Sequence, residues 1–200
     1  MATAIDFYFD FSSPYGYIGS RRIDEVAAKH KRAVDWRPFL LGVAMKETGA
    51  RSLVAIPMRC EYHKRDFTRC AREWGIPFTF PAIFPVSSLS PSRAYYWLAD
   101  RDPTLAKLFA HAVYHAYFVE GRDISTPEVV ADVAGRFGVD RAAALAALGE
   151  PAVKTRLREE TDNALARGVF GSPFFFVDGE PFWGHDRLPQ IEHWLETGGW

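Results

Sequence analysis

Four apolar residues at alternate positions, Ile5, Phe7, Phe9 and Phe11, run straight into Ser12-Ser13-Pro14-Tyr15-Gly16. Alternation is the period of a β-strand with one buried face. A serine followed by proline starts a helix, because the hydroxyl takes a free backbone N–H and the fixed φ of proline suits the first turn. Either Ser12 or Ser13 serves as the cap. Ile23, Val26 and Ala27 continue the inner face of the helical stretch, and Val34 to Leu41, with Trp36 and Phe39, reads as a second strand. Strand, helix and strand in so short a span give two parallel neighbours. Asp6 and Asp10 share the other face of the first strand, which is expected to be partly exposed, with Asp10 close enough to Ser13 to tune it.

From residue 43 to residue 168 the pattern is helical with short breaks, each carrying start or stop chemistry: Ser90-Pro91, Asp102-Pro103, Ser125-Thr126-Pro127-Glu128, Asp140 and Gly168. In the clearest helix, 103–118, Leu105, Leu108, Phe109, Ala112 and Ala116 fall at spacings of three and four and form the expected buried face. Residues 76–91, rich in proline and phenylalanine, read as an ordered loop that walls a pocket. Strand character returns only at Phe174 to Val177, followed by the hairpin signal Asp178-Gly179 and by Glu180 to Trp183. Asp186 is placed to cap a last helix with Leu188, Ile191, Trp194 and Leu195 inward. The order β-α-β, helical block, β-β-α is that of an α/β thioredoxin-like fold with a mixed sheet. Residues 1–42 and 169–200 form the thioredoxin-like domain, and residues 43–168 form a helical insertion.

A chain of 200 residues, 48% hydrophobic, has enough apolar material for a core, and a net charge of -1 gives no reason to expect nucleic acid or an anionic membrane as partner. No basic region precedes an apolar core at the N-terminus, and no run approaches the roughly 20 apolar residues of a membrane span, so a cytoplasmic protein is expected. Cys60 and Cys70 lie ten apart in one helix, too far for a bridge within it, and are read as reduced core-filling residues.

In a thioredoxin-like fold the strand-to-helix corner carries Cys-x-x-Cys, and here the same four places hold Ser13-Pro14-Tyr15-Gly16. Without sulfur the chain exchanges no disulfides by itself. It offers a hydroxyl at a helix N-terminus, where unpaired N–H groups and a partial charge of about half an electron favour an anion. A small thiol cofactor is the natural source of that anion. Near the other end, Gly171-Ser172-Pro173 puts a proline just before the returning strand, where this fold uses a cis peptide. Pro173 then sits against Ser13, and the backbone N–H and C=O of Ser172 are free to pair with an extended peptide. The plainer reading is a proline that merely begins a strand.

Taken together, Phe11-Ser12-Ser13-Pro14-Tyr15, Trp36-Arg37-Pro38-Phe39-Leu40-Leu41-Gly42, Gly171-Ser172-Pro173 and Phe182-Trp183-Gly184-His185-Asp186-Arg187 resemble the 2-hydroxychromene-2-carboxylate isomerases. These belong, with the kappa-class glutathione transferases, to the DsbA-like branch of the thioredoxin superfamily. The resemblance runs essentially end to end and implies bound glutathione, a serine beside its sulfur, and a homodimer. Carried over by position, it makes Ser13 the active serine, whose hydroxyl donates to the glutathione thiolate. A free thiol has a pKa of about 8.5, and a helix N-terminus lowers it. It also implies His185 and Asp186 at the γ-glutamyl group, backbone contacts from Ser172 beside Pro173 to the cysteinyl unit, and Arg59 at the glycyl end, in place of the family's lysine. Many relatives carry an asparagine contact near Ala50. This chain reads Gly49-Ala50-Arg51, so that contact is absent or taken over by Arg51. Lys46 either matches a lysine near the aromatic acid or is an ordinary surface lysine, and Phe84 is placed either to stack on the acid's ring or to pack in the core.

Other groups carry less. His111 and His115 are spaced like zinc ligands, but no His-Glu-x-x-His pattern and no third ligand accompany them, so no metal is expected. Glu159, Glu160 and Asp162 read as a solvated helix face. The resemblance implies a glutathione-dependent isomerase that interconverts cyclic hemiketals of the 2-hydroxychromene-2-carboxylate type and trans aromatic 2-oxo acids. The alternatives are a kappa-like glutathione transferase, which shares the thiolate and differs in the acceptor pocket, and a non-catalytic module that grips extended peptides beside Pro173.

Overall fold

The computed structural model describes residues 3–200. Strand β1 (Ile5–Phe9) leads through a short turn into helix α1 (Pro14–Ser20) and, after a break at residues 21–22, α2 (Ile23–Lys29). Strand β2 (Val34–Pro38) follows, then helices α3 (Leu41–Thr48), α4 (Arg59–Glu73), α5 (Leu89–Ala99), α6 (Pro103–Phe118), α7 (Pro127–Gly135), α8 (Arg141–Ala147) and α9 (Pro151–Ala166). The hairpin β3 (Phe174–Val177) and β4 (Glu180–Trp183) and the last helix α10 (Leu188–Thr197) complete the chain. The four strands lie in the order β2-β1-β3-β4, with β1 parallel to β2 and antiparallel to β3. This is the mixed thioredoxin-like sheet expected from the order of elements. The second strand stops at Pro38, three residues short of expectation, and Leu41 already begins α3.

Register explains why β1 is so aromatic. Phe7 stands opposite Trp36 of β2 and Phe175 of β3, with ring centroids 5.0 Å and 5.2 Å away. Ile5, Phe7, Phe9 and Phe11 are all fully buried in a hydrophobic cluster that includes residues of α5, α6 and α7 as well as the sheet. Three tyrosine hydroxyls fix helices to backbone carbonyls, two within β2 and one just beyond β1. Tyr95 reaches Trp36 (3.0 Å), Tyr96 reaches Pro38 (2.7 Å) and Tyr114 reaches Asp10 (3.0 Å). These bonds make burial of the phenols tolerable, since a buried hydroxyl without a partner is costly.

Tyrosine burial also shifts the expected face of α6. Phe109 and Ala116 are fully buried as expected, but Leu108 is 50% exposed and Leu105 and Ala112 only partly covered, whereas Ala106, Ala110, Val113, Tyr114 and Tyr117 are buried. The helix is turned toward its alanines and hydroxyl-bonded tyrosines, which a purely apolar pattern underweights. Glu160 is likewise buried, between Arg156 (3.0 Å) and Arg37 (3.6 Å), rather than on a solvated face. Asp186 does not cap α10, because a 3-10 turn over His185–Arg187 intervenes and no side chain caps that helix. Asp102 and Asp140 do cap α6 and α8.

Candidate active site

The β1–α1 corner forms one end of a deep cleft. Ser13 is the N-cap of α1: its Oγ accepts the Gly16 N–H at 3.0 Å and donates to the Ser172 carbonyl at 2.9 Å. Ser172 precedes a cis peptide to Pro173, and Pro173 packs behind it against Gly19 of α1. The Ser172 carbonyl, expected to be free, is thus already bonded, whereas its N–H donates to no acceptor among the described residues. Its side chain accepts the Asp10 N–H at 2.9 Å. Gly16 is required by this crowding, since a Cβ there would lie 2.8 Å from Ser172 Oγ and 2.9 Å from the Tyr114 hydroxyl.

Asp10 departs most from its expected place. It is 2% exposed, not on a partly open strand face. Oδ1 accepts the N–H and hydroxyl of Ser12, both at 2.7 Å, and Oδ2 accepts the Leu41 N–H at 2.9 Å and the Ser88 hydroxyl at 2.8 Å. Four donors satisfy a buried carboxylate that the sequence alone leaves on a surface.

The cleft has a volume of about 1410 Å³. Helix α4 contributes one face at helical spacing: Arg59, His63, Asp66, Phe67 and Cys70 all line it. That spacing was available in the sequence and points to His63 and Asp66, which motif comparison missed. The Tyr15 hydroxyl donates to Asp66 and lies 3.3 Å from His63 Nδ1. Burial and that bond push the Tyr15 pKa far above the usual phenol value, so it stays protonated. Burial alone would raise Asp66, yet hydrogen bonds from Tyr15 and Arg69 outweigh it and hold the carboxyl below its ordinary value. Cys70 is reduced, and burial aided by Asp66 pushes its thiol up to about 11, which leaves it inert.

Of the residues singled out from sequence, Ser13, Ser172, Arg51, Arg59, Phe84, His185 and Asp186 line this one cleft. Lys46 does not: it is exposed on α3, where Leu41, Met45 and Thr48 face inward. Phe84 lines the cleft, and its half-buried ring packs 5.0 Å from Phe80. His185 stacks on Tyr15 at 5.1 Å, and its Nδ1 is buried without a partner. Burial lowers its pKa and keeps the ring neutral. Asp186 is exposed and pairs with Arg187 at 3.2 Å. His111, 4.9 Å from Trp36, and His115, bonded to Glu120, belong to no metal-binding cluster among the described residues. No helix of the described residues is long and apolar enough to cross a membrane.

Known proteins match this arrangement along nearly the whole chain. The family model of the DSBA-like thioredoxin domain covers residues 4–196. A 2-hydroxychromene-2-carboxylate isomerase of Sphingobium xenophagum is 31% identical, over 98% of this chain and 99% of its own. A kappa-class glutathione transferase of Caenorhabditis elegans, kappa 2, is also 31% identical, over 96% and 91%. A solved 2-hydroxychromene-2-carboxylate isomerase superimposes with a TM-score of 0.88 at 29% identity, covering 97% of this chain and 95% of its own. The chain therefore belongs to the DsbA-like thioredoxin-domain family, within the branch of 2-hydroxychromene-2-carboxylate isomerases and kappa-class glutathione transferases.

Proposed function

We propose that the protein is a glutathione-dependent isomerase of 2-hydroxychromene-2-carboxylate-type hemiketals and trans aromatic 2-oxo acids. The observation that carries this reading is the single cleft that joins a buried serine corner to two arginines across aromatic walls. Its volume of about 1410 Å³ exceeds the roughly 300–1,000 Å³ that suits one small ligand, which leaves room for a tripeptide and an aromatic acid side by side.

The residues present fit glutathione. Among the described residues the Ser172 N–H has no acceptor and the buried His185 Nδ1 has no partner, so the cleft holds polar demand that an extended peptide satisfies. Ser172 would hold the cysteinyl backbone, His185 and Asp186 the γ-glutamyl end, and Arg59 the glycyl carboxylate. When bound, glutathione supplies a thiolate, a nucleophile that adds reversibly to a conjugated carbon and frees the former double bond to rotate. Ser13 presents its hydroxyl proton at that corner. Turning it away from the Ser172 carbonyl gives up one neutral hydrogen bond, a cost of about 0.5–1.5 kcal/mol, while the Gly16 N–H stays on Oγ and polarises it. Arg51 orients the substrate carboxylate through its planar fork, and Phe67 and Phe84 wall the ring and exclude water. Tyr15, held protonated, serves as a donor and not as a base.

Incubating purified protein with hydroxychromene carboxylate, with and without glutathione, tests the reading by the change in ultraviolet spectrum. Conversion that depends on glutathione is expected; no conversion in either arm removes the claim. Equal identity to a kappa-class transferase favours one second reading, conjugation of electrophiles. Turnover of a chlorodinitroarene without chromene conversion would select it.

A further inference from the structure

Asp10 is the most fully engaged side chain of the corner, and no step described above uses it. Its four donors are all neutral, and it forms no ion pair with any described Lys, Arg or His. Its main chain is equally occupied, the N–H by Ser172 Oγ and the carbonyl by the Tyr114 hydroxyl. The four donors belong to three residues, and all three stand where helices begin. Ser12 precedes the Ser13 cap of α1, Leu41 is the first residue of α3, and Ser88 is the cap position of α5. Neither Leu40 nor Ser88 gives its own helix a side-chain cap. Asp10 supplies α3 with the carboxylate that Leu40 lacks, and it draws the hydroxyl of Ser88 away from α5.

We propose that Asp10 is a positioning residue, a resident anion that ties the beginnings of α1, α3 and α5 to one point beside Ser13 and sets both the shape and the charge of that corner. The shape follows from the bonds: Leu41 and Ser88 carry two separate walls of the cleft, and the carboxylate is what they share. The charge follows from the lack of a cation. With only neutral donors around it, the carboxylate has no counter-charge among the described residues, and it opposes a second anion nearby. Resting on the glutathione reading, this means that Asp10 limits how far the bound thiol is acidified. A thiolate of very low pKa is a poor nucleophile, so the limit preserves reactivity.

Asp10→Asn removes the charge at nearly constant volume. In the intact chain, amide exchange at Leu41 and Ser12 is expected to quicken at least about tenfold, since among the described residues these N–H groups have only the carboxylate as acceptor. The thiol pKa of bound glutathione, followed by thiolate absorbance, is expected to fall by about one unit. A merely structural Asp10 would loosen the amides and leave the thiol pKa unmoved. Ser88→Ala, which keeps the charge, is expected to quicken exchange only over residues 84–89 with no change in thiol pKa. Unchanged exchange at Leu41 in Asp10→Asn, or a thiol pKa that stays or rises, overturns the proposal. If the wild-type protein binds no glutathione, the cofactor reading falls while exchange at Leu41 still decides the positioning role. Should Asp10→Asn fail to fold, unchanged exchange over 84–89 in Ser88→Ala overturns it instead.

Discussion

The two sides of the cleft are built in opposite ways. On one side Asp10, Ser13 and Ser172 are 2%, 6% and 8% exposed, and every side-chain oxygen has a partner. On the other, residues 49–59 join α3 to α4 through a 3-10 turn, Leu53–Ala55, with no buried residue. Met58 there is 97% exposed in the left-handed region at φ 66°, and neither Arg51 nor Arg59 forms an ion pair among the described residues. On the proposed function, groups that hold reacting atoms to a fraction of an ångström sit where backbone and packing leave no freedom. Groups that would only need to find a carboxylate sit on long side chains at a rim that sequence change can alter without unfolding the sheet.

The contrast breaks first at Ser13. Ser13→Ala is expected to lower kcat for the chromene reaction about 10²–10³-fold, as loss of a preorganised donor does, and to remove about 1 kcal/mol of helix capping. Steady-state kinetics together with thermal unfolding separate the two effects. A variant within tenfold of wild type would show that the tight side is scaffold alone. Gly16→Ala probes the same side through packing. The new Cβ meets Ser172 Oγ, the Tyr114 hydroxyl and Ser13 Cβ at 2.8, 2.9 and 3.1 Å. Two of these atoms are tied to the backbone of Asp10 and have nowhere to go. A loss of about 1–3 kcal/mol in urea unfolding is expected.

The open side should respond in binding and not in stability. Arg59→Ala is expected to raise KM for glutathione about tenfold, equivalent to about 1.4 kcal/mol, with kcat and unfolding midpoint unchanged. A fall in kcat of the same size would mean that the rim also shapes the transition state.

The same division governs what the sequence made legible. Strands announced themselves: alternation in β1, the hairpin at Asp178-Gly179 with both residues at positive φ, and the Ser13 cap are local codes that tertiary context did not override. Ser13, Ser172 and His185 lie in motifs, and the structure brings all three to one cleft. Asp10 was misplaced because its partners, Leu41, Ser88 and Ser172, lie 31, 78 and 162 residues away, and no local pattern reports so distant a meeting. Of the two readings open for Lys46, the structure places it on the surface. Alignment by position ignored the helical phase of α3, which turns Met45 inward and Lys46 out.

Gly42→Ala gives the smallest effect and the sharpest contrast, because it is chemically identical to Gly16→Ala. Gly42 is the second residue of α3, its φ is not in the left-handed region, and a Cβ there meets nothing within 4 Å. The added methyl therefore removes backbone freedom from the unfolded chain and raises helix propensity without a clash, a gain of about 0.5–1 kcal/mol. One substitution then has opposite signs on the two sides of a single cleft: destabilising where Ser172 and Tyr114 crowd Gly16, stabilising where α3 borders open space. Urea midpoints at equal m-values measure both. If Gly42→Ala loses stability as Gly16→Ala does, the α3 wall is packed as tightly as the serine corner, and the tolerance of the arginine rim must come from something other than loose packing.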